Sequence, residues 1–243
     1  MKTLMINASP KKKMSVSAYF LSVLKFFTFG GVAKENLRNK SDHARLLGAL
    51  DGADNVVFCL QLYVDGVPSH VLAFMKEAEA YCREKGVKVN VYVISNGGFI
   101  EGNQNRVLMK IFENFCTRSG LNWCGGIGIG GGVMLNVMRV MFFVYIGIFL
   151  LNIIMGNLVK GSLIELAKGL GAVLFFNLGV FGLSASMGAA IRKGRSFGVK
   201  FTRALMPSFI FILVAEIFFI LISILQGGVF RGWLSKKEPT NEL

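Results

Sequence analysis

The sequence predicts an α/β fold with a parallel sheet, followed by an all-α region that crosses a membrane. In residues 1–132, short apolar runs alternate with longer amphipathic runs, as strands alternate with crossover helices. That half holds 26 charged side chains, whereas residues 133–243 hold only 15 and contain long apolar stretches. The composition therefore indicates two solvents, water for the first half of the chain and lipid for much of the second.

The elements of the first half follow from these runs in order. Short apolar runs predict five strands, at residues 2–7, 32–37, 55–60, 87–94 and 123–129. Apolar residues at helical spacing predict four helices, at residues 15–29, 42–50, 69–85 and 104–119. Five strands and four crossovers within about 130 residues correspond to one domain of ordinary size.

Three loops at predicted strand ends are rich in polar residues, and parallel sheets bind ligands at the carboxyl ends of their strands. Residues 9–17 combine hydroxyls and lysines before a helix, which suits a phosphate; the alternative is a basic turn with Ser15 or Ser17 as the helix cap. Residues 61–70 hold an aromatic side chain, Asp-Gly and Pro, and form either one wall for a flat ring or a plain turn. Residues 95–105 hold two adjacent glycines and several amides, which can meet the polar edge of a heterocycle.

A fourth motif, residues 126–131, matches G-x-G-x-x-G but is not expected to bind a dinucleotide. It follows the last predicted strand instead of the first, and residues 145–160 contain no acid. We therefore expect a closely packed strand end at this point.

Composition excludes several other classes of protein. Four widely spaced cysteines without a C-x-x-C pair, and only two histidines, argue against a metal site. The net charge of +13 is divided between the halves, and in the second half it lies beside apolar spans, so we expect no nucleic-acid partner. The N-terminus lacks the pattern of a signal peptide, which predicts a cytosolic first half with reduced thiols.

Four segments together resemble the flavodoxin-like NAD(P)H-dependent FMN reductase family over about residues 1–135. They are ASPKKKMSVSAYFL, LYVDGVPSH, NGGFIEGNQN and NFCTRSGLNWCGGIGIGGG, in the order of the family. The resemblance implies a flavodoxin-like five-stranded parallel sheet of order 2-1-3-4-5, with FMN bound at the ends of the first, third and fourth strands. It also implies electron transfer from NAD(P)H to flavins, quinones or similar acceptors, and, since many members are dimers, a homodimer.

The same resemblance implies the residues of the cofactor site. The phosphate would be held by Ser9, Lys11, Ser15 and Ser17. The ring would be flanked by Leu62, Tyr63, Val64 and Asp65, and its other edge would meet Asn96, Gly97, Gly98 and Phe99. No catalytic acid–base residue is predicted, because the cofactor carries the chemistry of hydride transfer.

The chain departs from the family pattern at five positions. Met14 replaces a usual glycine, Val16 a polar residue, and Leu60 and Gln61 a Thr-Pro or Ser-Pro pair. Lys11 stands where an arginine is usual. Each lost side-chain donor removes a hydrogen bond worth roughly 0.5–1.5 kcal/mol, which predicts weaker FMN binding than in the family.

The second half predicts three transmembrane helices, at residues 133–155, 169–191 and 205–225. If the first is instead the last helix of the domain, two spans remain. The basic loop at residues 192–203 places the first half in the cytoplasm under the positive-inside rule, with the tail outside the plasma membrane in the three-span arrangement.

Arg139 is expected to reach the interface, and Gly182, Ser186 and Ala190 to form a helix-packing stripe. Glu216, near the middle of the third span, either contacts a proton or quinone or is a neutral or paired carboxyl.

The sequence thus predicts a membrane-anchored FMN-dependent oxidoreductase that passes electrons from NAD(P)H to a quinone, a flavin, a redox protein or a similar acceptor. Two alternatives stay open. One is a non-enzymatic membrane module whose flavodoxin-like half binds a protein, which Met14, Val16, Leu60 and Gln61 favour. The other is a one-electron carrier of the flavodoxin type.

Overall fold

The computed structural model describes residues 1–11, 15–155 and 160–225, with the side chains of all of these except residues 160–162, 222 and 225. The predicted departure at Met14 and the predicted tail beyond Gln226 lie outside the described residues. The strands are β1 (Thr3–Asn7), β2 (Val32–Asn36), β3 (Asn55–Gln61), β4 (Asn90–Asn96), β5 (Asn122–Ile129) and β6 (Gly198–Phe201). The helices are α1 (Val16–Thr28), α2 (His43–Asp51), α3 (Ser69–Lys85), α4 (Arg106–Ser119), α5 (Gly132–Ile154), α6 (Lys160–Phe176), α7 (Leu178–Arg192) and α8 (Ser208–Leu225).

The strands form one parallel sheet in the order β2-β1-β3-β4-β5-β6. The first five strands and their order confirm the prediction, and this order is that of a flavodoxin-like sheet. The sixth strand corrects the predicted count of five. It lies inside the range assigned to the membrane region, where its short, basic sequence gave no alternating apolar pattern.

Helices cover both faces of this sheet because alternate residues of each strand point to opposite sides. Leu4 and Ile6 of β1 belong to the core beneath α2, α3 and α4, whereas Met5 belongs to the core beneath α1 and α7. Burial on both faces explains why the central strands read as continuous apolar runs in the sequence.

The predicted membrane span at residues 169–191 stays a prediction, and the structure divides its residues between α6 and α7. The apolar run is divided at Asn177, where α6 and α7 meet at an angle of 57°. Val180, Met187 and Ile191 of α7 are buried in the core that α7 shares with α1. Of the predicted stripe, Gly182 and Ser186 are exposed, and Ala190 is partly buried against this core.

Helices α5 and α6, the helix pair that follows β5, pack against each other, and most of their large apolar side chains are exposed. Among the described residues, α5 is the one helix long and apolar enough to cross a bilayer, and none of its most apolar stretch is buried. At about 1.5 Å per residue its 23 residues extend about 34 Å, against about 30 Å for a hydrocarbon core. Helices α6 and α7 pass the same test only as a bent pair. One or two such helices are weak evidence for a membrane span.

Residues 1–204 form one compact unit, and the second unit begins at Leu205. The second unit contains α8, an apolar helix of 18 residues that carries Glu216, whose side chain is exposed. The division of the chain at residue 132, which the sequence predicts, stays a prediction, although α7 and β6 extend the α/β unit beyond that residue.

Candidate functional site

The three predicted loops meet at one edge of the sheet, because β1, β3 and β4 are parallel and end at similar levels. The register aligns Asn7 with Cys59, and Cys59 with Ile94. The His70 ring Nε2 lies 3.1 Å from the carbonyl oxygen of Ala8, which connects the second loop to the first. The backbone N–H of Leu62 donates to the carbonyl of Asn96 at 2.9 Å and connects the second loop to the third.

Asn7, the last residue of β1, organises the first loop. Its side-chain oxygen accepts from the backbone N–H of Ser9 at 3.3 Å and from the Ser15 hydroxyl at 3.5 Å. Its side-chain nitrogen donates to Asn36 at 3.1 Å. The loop is thereby held by an amide that the sequence patterns alone did not single out.

The predicted phosphate residues lie together around the start of α1. Ser15 caps this helix, since its hydroxyl oxygen accepts from the backbone N–H of Ala18 at 3.1 Å, which confirms one alternative for this loop. The backbone N–H of exposed Lys11 donates to the Ser9 hydroxyl at 3.4 Å. Ser17 is buried, and its hydroxyl lies beside the Cys59 thiol, with no close hydrogen bond to another described residue.

Cys59, at the end of β3, lies behind this loop as a buried thiol. Burial raises its pKa above the ordinary range, and the Ser17 hydroxyl partly opposes that rise. A neutral thiol in this position packs as a small apolar side chain and is not a nucleophile at neutral pH.

The second loop is a tight turn from Tyr63 to Gly66. Backbone hydrogen bonds run in both directions between these two residues, at 2.8 and 3.2 Å. The two central residues have positive φ, 42° at Val64 and 58° at Asp65. A β-branched residue at positive φ is strained, and the Val64 side chain is fully exposed beside a half-exposed Tyr63.

The third loop uses some of its predicted donors within the protein. The side-chain nitrogen of Asn96 donates to the carbonyl of Leu60 at 3.0 Å, and the N–H of Gly97 donates to Ile129 at 3.0 Å. These two hydrogen bonds position the loop, and they occupy the Gly97 N–H and one of the two side-chain N–H donors of Asn96. The exposed ring of Phe99 lies beyond them.

The segment after β6 supports the third loop, and sequence reasoning missed it. The N–H of Gly102 donates to Thr202 at 2.8 Å, and the N–H of Ala204 donates to Ile100 at 3.0 Å. Arg203 and Glu101 pair across these bonds at 3.0 Å. The only sequence signal was the spacing of basic residues in 192–203, which indicated topology rather than a contact.

The G-x-G-x-x-G motif forms a closely packed strand end, as predicted. A Cβ at Gly126 would lie 2.6 Å from the carbonyl oxygen of Val93, and one at Gly128 would lie 2.7 Å from that of Gly102. The absence of side chains therefore lets β4, β5 and the third loop approach one another. Within the described residues, no group of three His, Cys, Asp or Glu side chains is placed to hold a metal ion.

A buried hydrogen bond and a cation–π contact position the end of α6 and the start of α5 against α1. The Tyr19 hydroxyl donates to the side-chain oxygen of Asn177 at 3.0 Å, and the Arg139 guanidinium lies over the Tyr19 ring, 4.4 Å from its centre. Burial raises the pKa of Tyr19, and the Arg139 charge partly opposes that rise. Arg139 is therefore stacked on the α/β unit.

Comparison with known proteins gives low-identity matches to solved structures. The Trp repressor binding protein from Bacillus subtilis is 14% identical, with a TM-score of 0.44, and covers 52% of this chain and 86% of its own. An NADPH-quinone reductase from P. pentosaceus is 18% identical, with a TM-score of 0.43, over 52% of this chain and 83% of its own. The general stress protein 14 from Treponema denticola, solved in complex with FMN, is 16% identical, with a TM-score of 0.43, over 52% of this chain and 84% of its own.

No protein-family model matches the chain, and no curated protein matches it.

Proposed function

We propose that the protein is a membrane-anchored, FMN-dependent oxidoreductase that transfers electrons from NAD(P)H to a quinone or a similar acceptor. The observation that carries this proposal is the meeting of three polar loops at the carboxyl edge of a sheet of flavodoxin-like order. The first loop precedes a helix start, the second presents an exposed aromatic side chain, and the third contains adjacent glycines.

The residues present fit a phosphate-bearing cofactor with a flat ring. The buried Ser17 hydroxyl, which lies beside the Cys59 thiol, belongs to the first turn of α1, where the N–H groups of a helix start and this hydroxyl can bind an oxyanion. Lys11 is exposed at the same loop and supplies a positive charge. The exposed rings of Tyr63 and Phe99 offer apolar surface in the other two loops.

In this proposal each loop has a separate task. Ser9, Lys11, Ser15 and Ser17 hold the phosphate, and the Asn7 side chain keeps their loop in place. Leu62, Tyr63, Val64 and Asp65 flank the ring, and Gly98 and Phe99 meet its edge, while Asn96 and Gly97 position the third loop. FMN supplies the hydride and electron chemistry when bound, so these residues need only bind and orient it.

Membrane attachment is the second part of the proposal. The exposed apolar surface of α5 and α6 would be unfavourable in water, since apolar surface is worth roughly 25 cal/mol per Å². A bilayer covers such a surface without a partner protein. Basic residues of 192–203 favour a cytoplasmic position of the α/β unit at the plasma membrane.

Steady-state assays of the full chain in mild detergent test the reductase activity. With FMN and a water-soluble quinone we expect NADH or NADPH oxidation that depends on added FMN. The Lys11→Ala variant should need more FMN for half-maximal activity, whereas Lys85→Ala, an exposed lysine at the end of α3, should behave as the wild type. FMN-loaded protein that oxidises neither nucleotide would contradict the proposed activity.

A further inference from the structure

We propose that the face of the α/β unit formed by α1 and α7 rests on an anionic lipid bilayer, beside the point where the helix pair α5–α6 leaves the unit. This rests on the membrane attachment proposed above and adds the surface that faces the lipid.

The first argument is the shape and exposure of this face. An apolar groove of about 410 Å³ lies along α1 and α7 and is lined by Tyr19, Ser22, Val23, Phe26, Phe27 and Phe181. Phe26 is 71% exposed, and Phe29, just beyond α1, is 68% exposed. Phenylalanines presented to solvent at one end of an apolar groove are typical of a surface that meets lipid headgroups and acyl chains.

The second argument is charge. Helices α1 and α7 and the following residues 193–204 contain no acidic residue. The basic residues Lys25, Arg192 and Lys193 are exposed on them, and Lys34 of β2 donates to Ser22 of α1 at 3.4 Å. Arg192 also donates to the carbonyl oxygen of Phe27, and its guanidinium lies 5.3 Å from the centre of the Phe29 ring. Cations thus surround the exposed aromatic side chains, an arrangement complementary to anionic headgroups.

The opposite face of the sheet provides an internal comparison. A groove of about 430 Å³ between α3 and α4 is lined by residues of both charges, among them Lys76, Glu79 and Arg118. Helices α2, α3 and α4 contain five acidic residues, Asp51, Glu77, Glu79, Glu84 and Glu113, together with seven basic ones. Acidic side chains repel an anionic surface, so the α1–α7 face, whose helices carry basic residues and no acidic ones, suits such a surface better than this face.

The third argument is continuity with the helix pair. Arg139 of α5 stacks on Tyr19, and the Tyr19 hydroxyl bonds to Asn177 between α6 and α7. Both ends of the helix pair are therefore attached to the first turns of α1 and α7. A bilayer that receives α5 and α6 therefore begins at the end of this face that holds Tyr19 and Asn177, and Phe26 and Phe29 lie toward the other end of α1.

Site-specific fluorescence on the full chain tests the proposal. Phe26→Cys carries a nitrobenzoxadiazole label on the proposed face, and Leu72→Cys, on α3 beside the other groove, is the matched control. The four native cysteines are buried, and burial raises the pKa of Cys116 to about 12, so they should not take the label at neutral pH. Phe29→Cys provides a second position should Phe26→Cys fail to fold.

Each labelled protein is reconstituted in vesicles of phosphatidylcholine and phosphatidylglycerol that contain a nitroxide-labelled lipid. We expect the label at position 26 to shift to shorter wavelength and lose most of its fluorescence, while the label at position 72 keeps it. Vesicles of phosphatidylcholine alone should quench position 26 less; equal quenching in both would overturn the anionic part of the proposal.

Other outcomes would overturn it and identify what failed. If the protein floats with the vesicles but position 26 is quenched no more than position 72, the face is wrong and the membrane attachment stands. If the protein does not float with the vesicles, the membrane attachment and the proposed lipid-facing surface are both contradicted. If the unlabelled Phe26→Cys protein forms disulfide-linked dimers under a mild oxidant, and the labelled protein is shielded from the lipid quencher, a second copy of the chain covers this face instead.

Discussion

Glu101 and Arg203 form an ion pair, with the carboxylate Oε1 3.0 Å from the guanidinium Nε. Glu101 belongs to the loop after β4, and Arg203 to the segment after β6. The pair lies within a short antiparallel contact between these two segments. The position of the loop proposed to meet the cofactor ring therefore depends on residues that follow the helix pair.

Removal of this ion pair by Arg203→Ala is expected to weaken FMN binding by up to about fivefold, because an exposed pair is worth about 0.2–1 kcal/mol. Quenching of FMN fluorescence in a titration measures the effect. Lys110→Ala breaks a similarly exposed pair with Glu113 on α4 and should leave FMN affinity unchanged. Equal FMN affinity in the wild type, Arg203→Ala and Lys110→Ala would show that Arg203 does not position the loop.

Asn7→Ala is expected to weaken FMN binding by an order of magnitude. The change leaves the Ser9 N–H and the Ser15 hydroxyl without their acceptor, and an unsatisfied buried polar group costs about 1–3 kcal/mol. Asn90→Ala removes a side-chain bond to Asn55 at the other edge of the sheet and serves as the control. Both variants should unfold at lower denaturant concentration, but only Asn7→Ala should lose FMN affinity.

Val64→Asn is expected to raise the free energy of unfolding by about 1 kcal/mol, because asparagine tolerates the positive φ of 42° and valine does not. The fully exposed valine loses no packing in the exchange. FMN affinity should fall, since Val64 is proposed to flank the ring. Denaturant unfolding measures the change in stability, and FMN titration measures the change in affinity. The control Val107→Asn, on the exposed side of α4, should change neither the stability nor the FMN affinity.

Gly188→Ala is expected to lower the free energy of unfolding by about 1–3 kcal/mol. A Cβ at this position would lie 2.7 Å from the backbone oxygen of Phe27, so α1 and α7 would have to separate. Gly182→Ala, on the same helix, meets nothing within 4 Å and should stabilise the helix by up to about 1 kcal/mol. Thermal unfolding that responds equally to both changes would contradict the packing of α7 on α1.

Stability is expected to fall as pH rises from about 8.5 toward 12. Burial raises the pKa of Cys116 to about 12, against about 8.5 for an unfolded thiol. In that window the unfolded state has lost the proton that the folded state keeps, so unfolding is favoured by up to about 1.4 kcal/mol per pH unit for one thiol. Denaturant unfolding at a series of pH values should show this decline, and a free energy of unfolding that is constant over the window would refute it.

The sequence predicted the central strands most directly, because β1, β3 and β4 are buried on both faces and appear in the sequence as apolar runs. The helical spacing of apolar residues predicted α3 with its observed bounds of 69–85. The positions of the three loops follow directly from the parallel order of the strands.

The sequence did not predict the division of the apolar run at Asn177, strand β6 or the orientation of the third loop, because these features depend on contacts between residues far apart in the chain. The apolar run at residues 169–191 resembles a membrane span, but Asn177, its one amide side chain, marks the break where α7 turns to cover the sheet. Residues 198–201 form a strand only because the free edge of β5 accepts them. The fixed orientation of Asn96 and Gly97 likewise follows from bonds to Leu60 and Ile129, which lie far away in sequence.

The measurement that tests the central claim most directly is the visible spectrum of the purified full chain in mild detergent, during titration with FMN. The account predicts flavin absorbance that stays with the protein through gel filtration, saturates near one FMN per chain, and weakens in Asn7→Ala but not in Asn90→Ala. A well-folded, colourless protein that takes up no FMN would contradict the account and favour a domain that binds a protein partner instead.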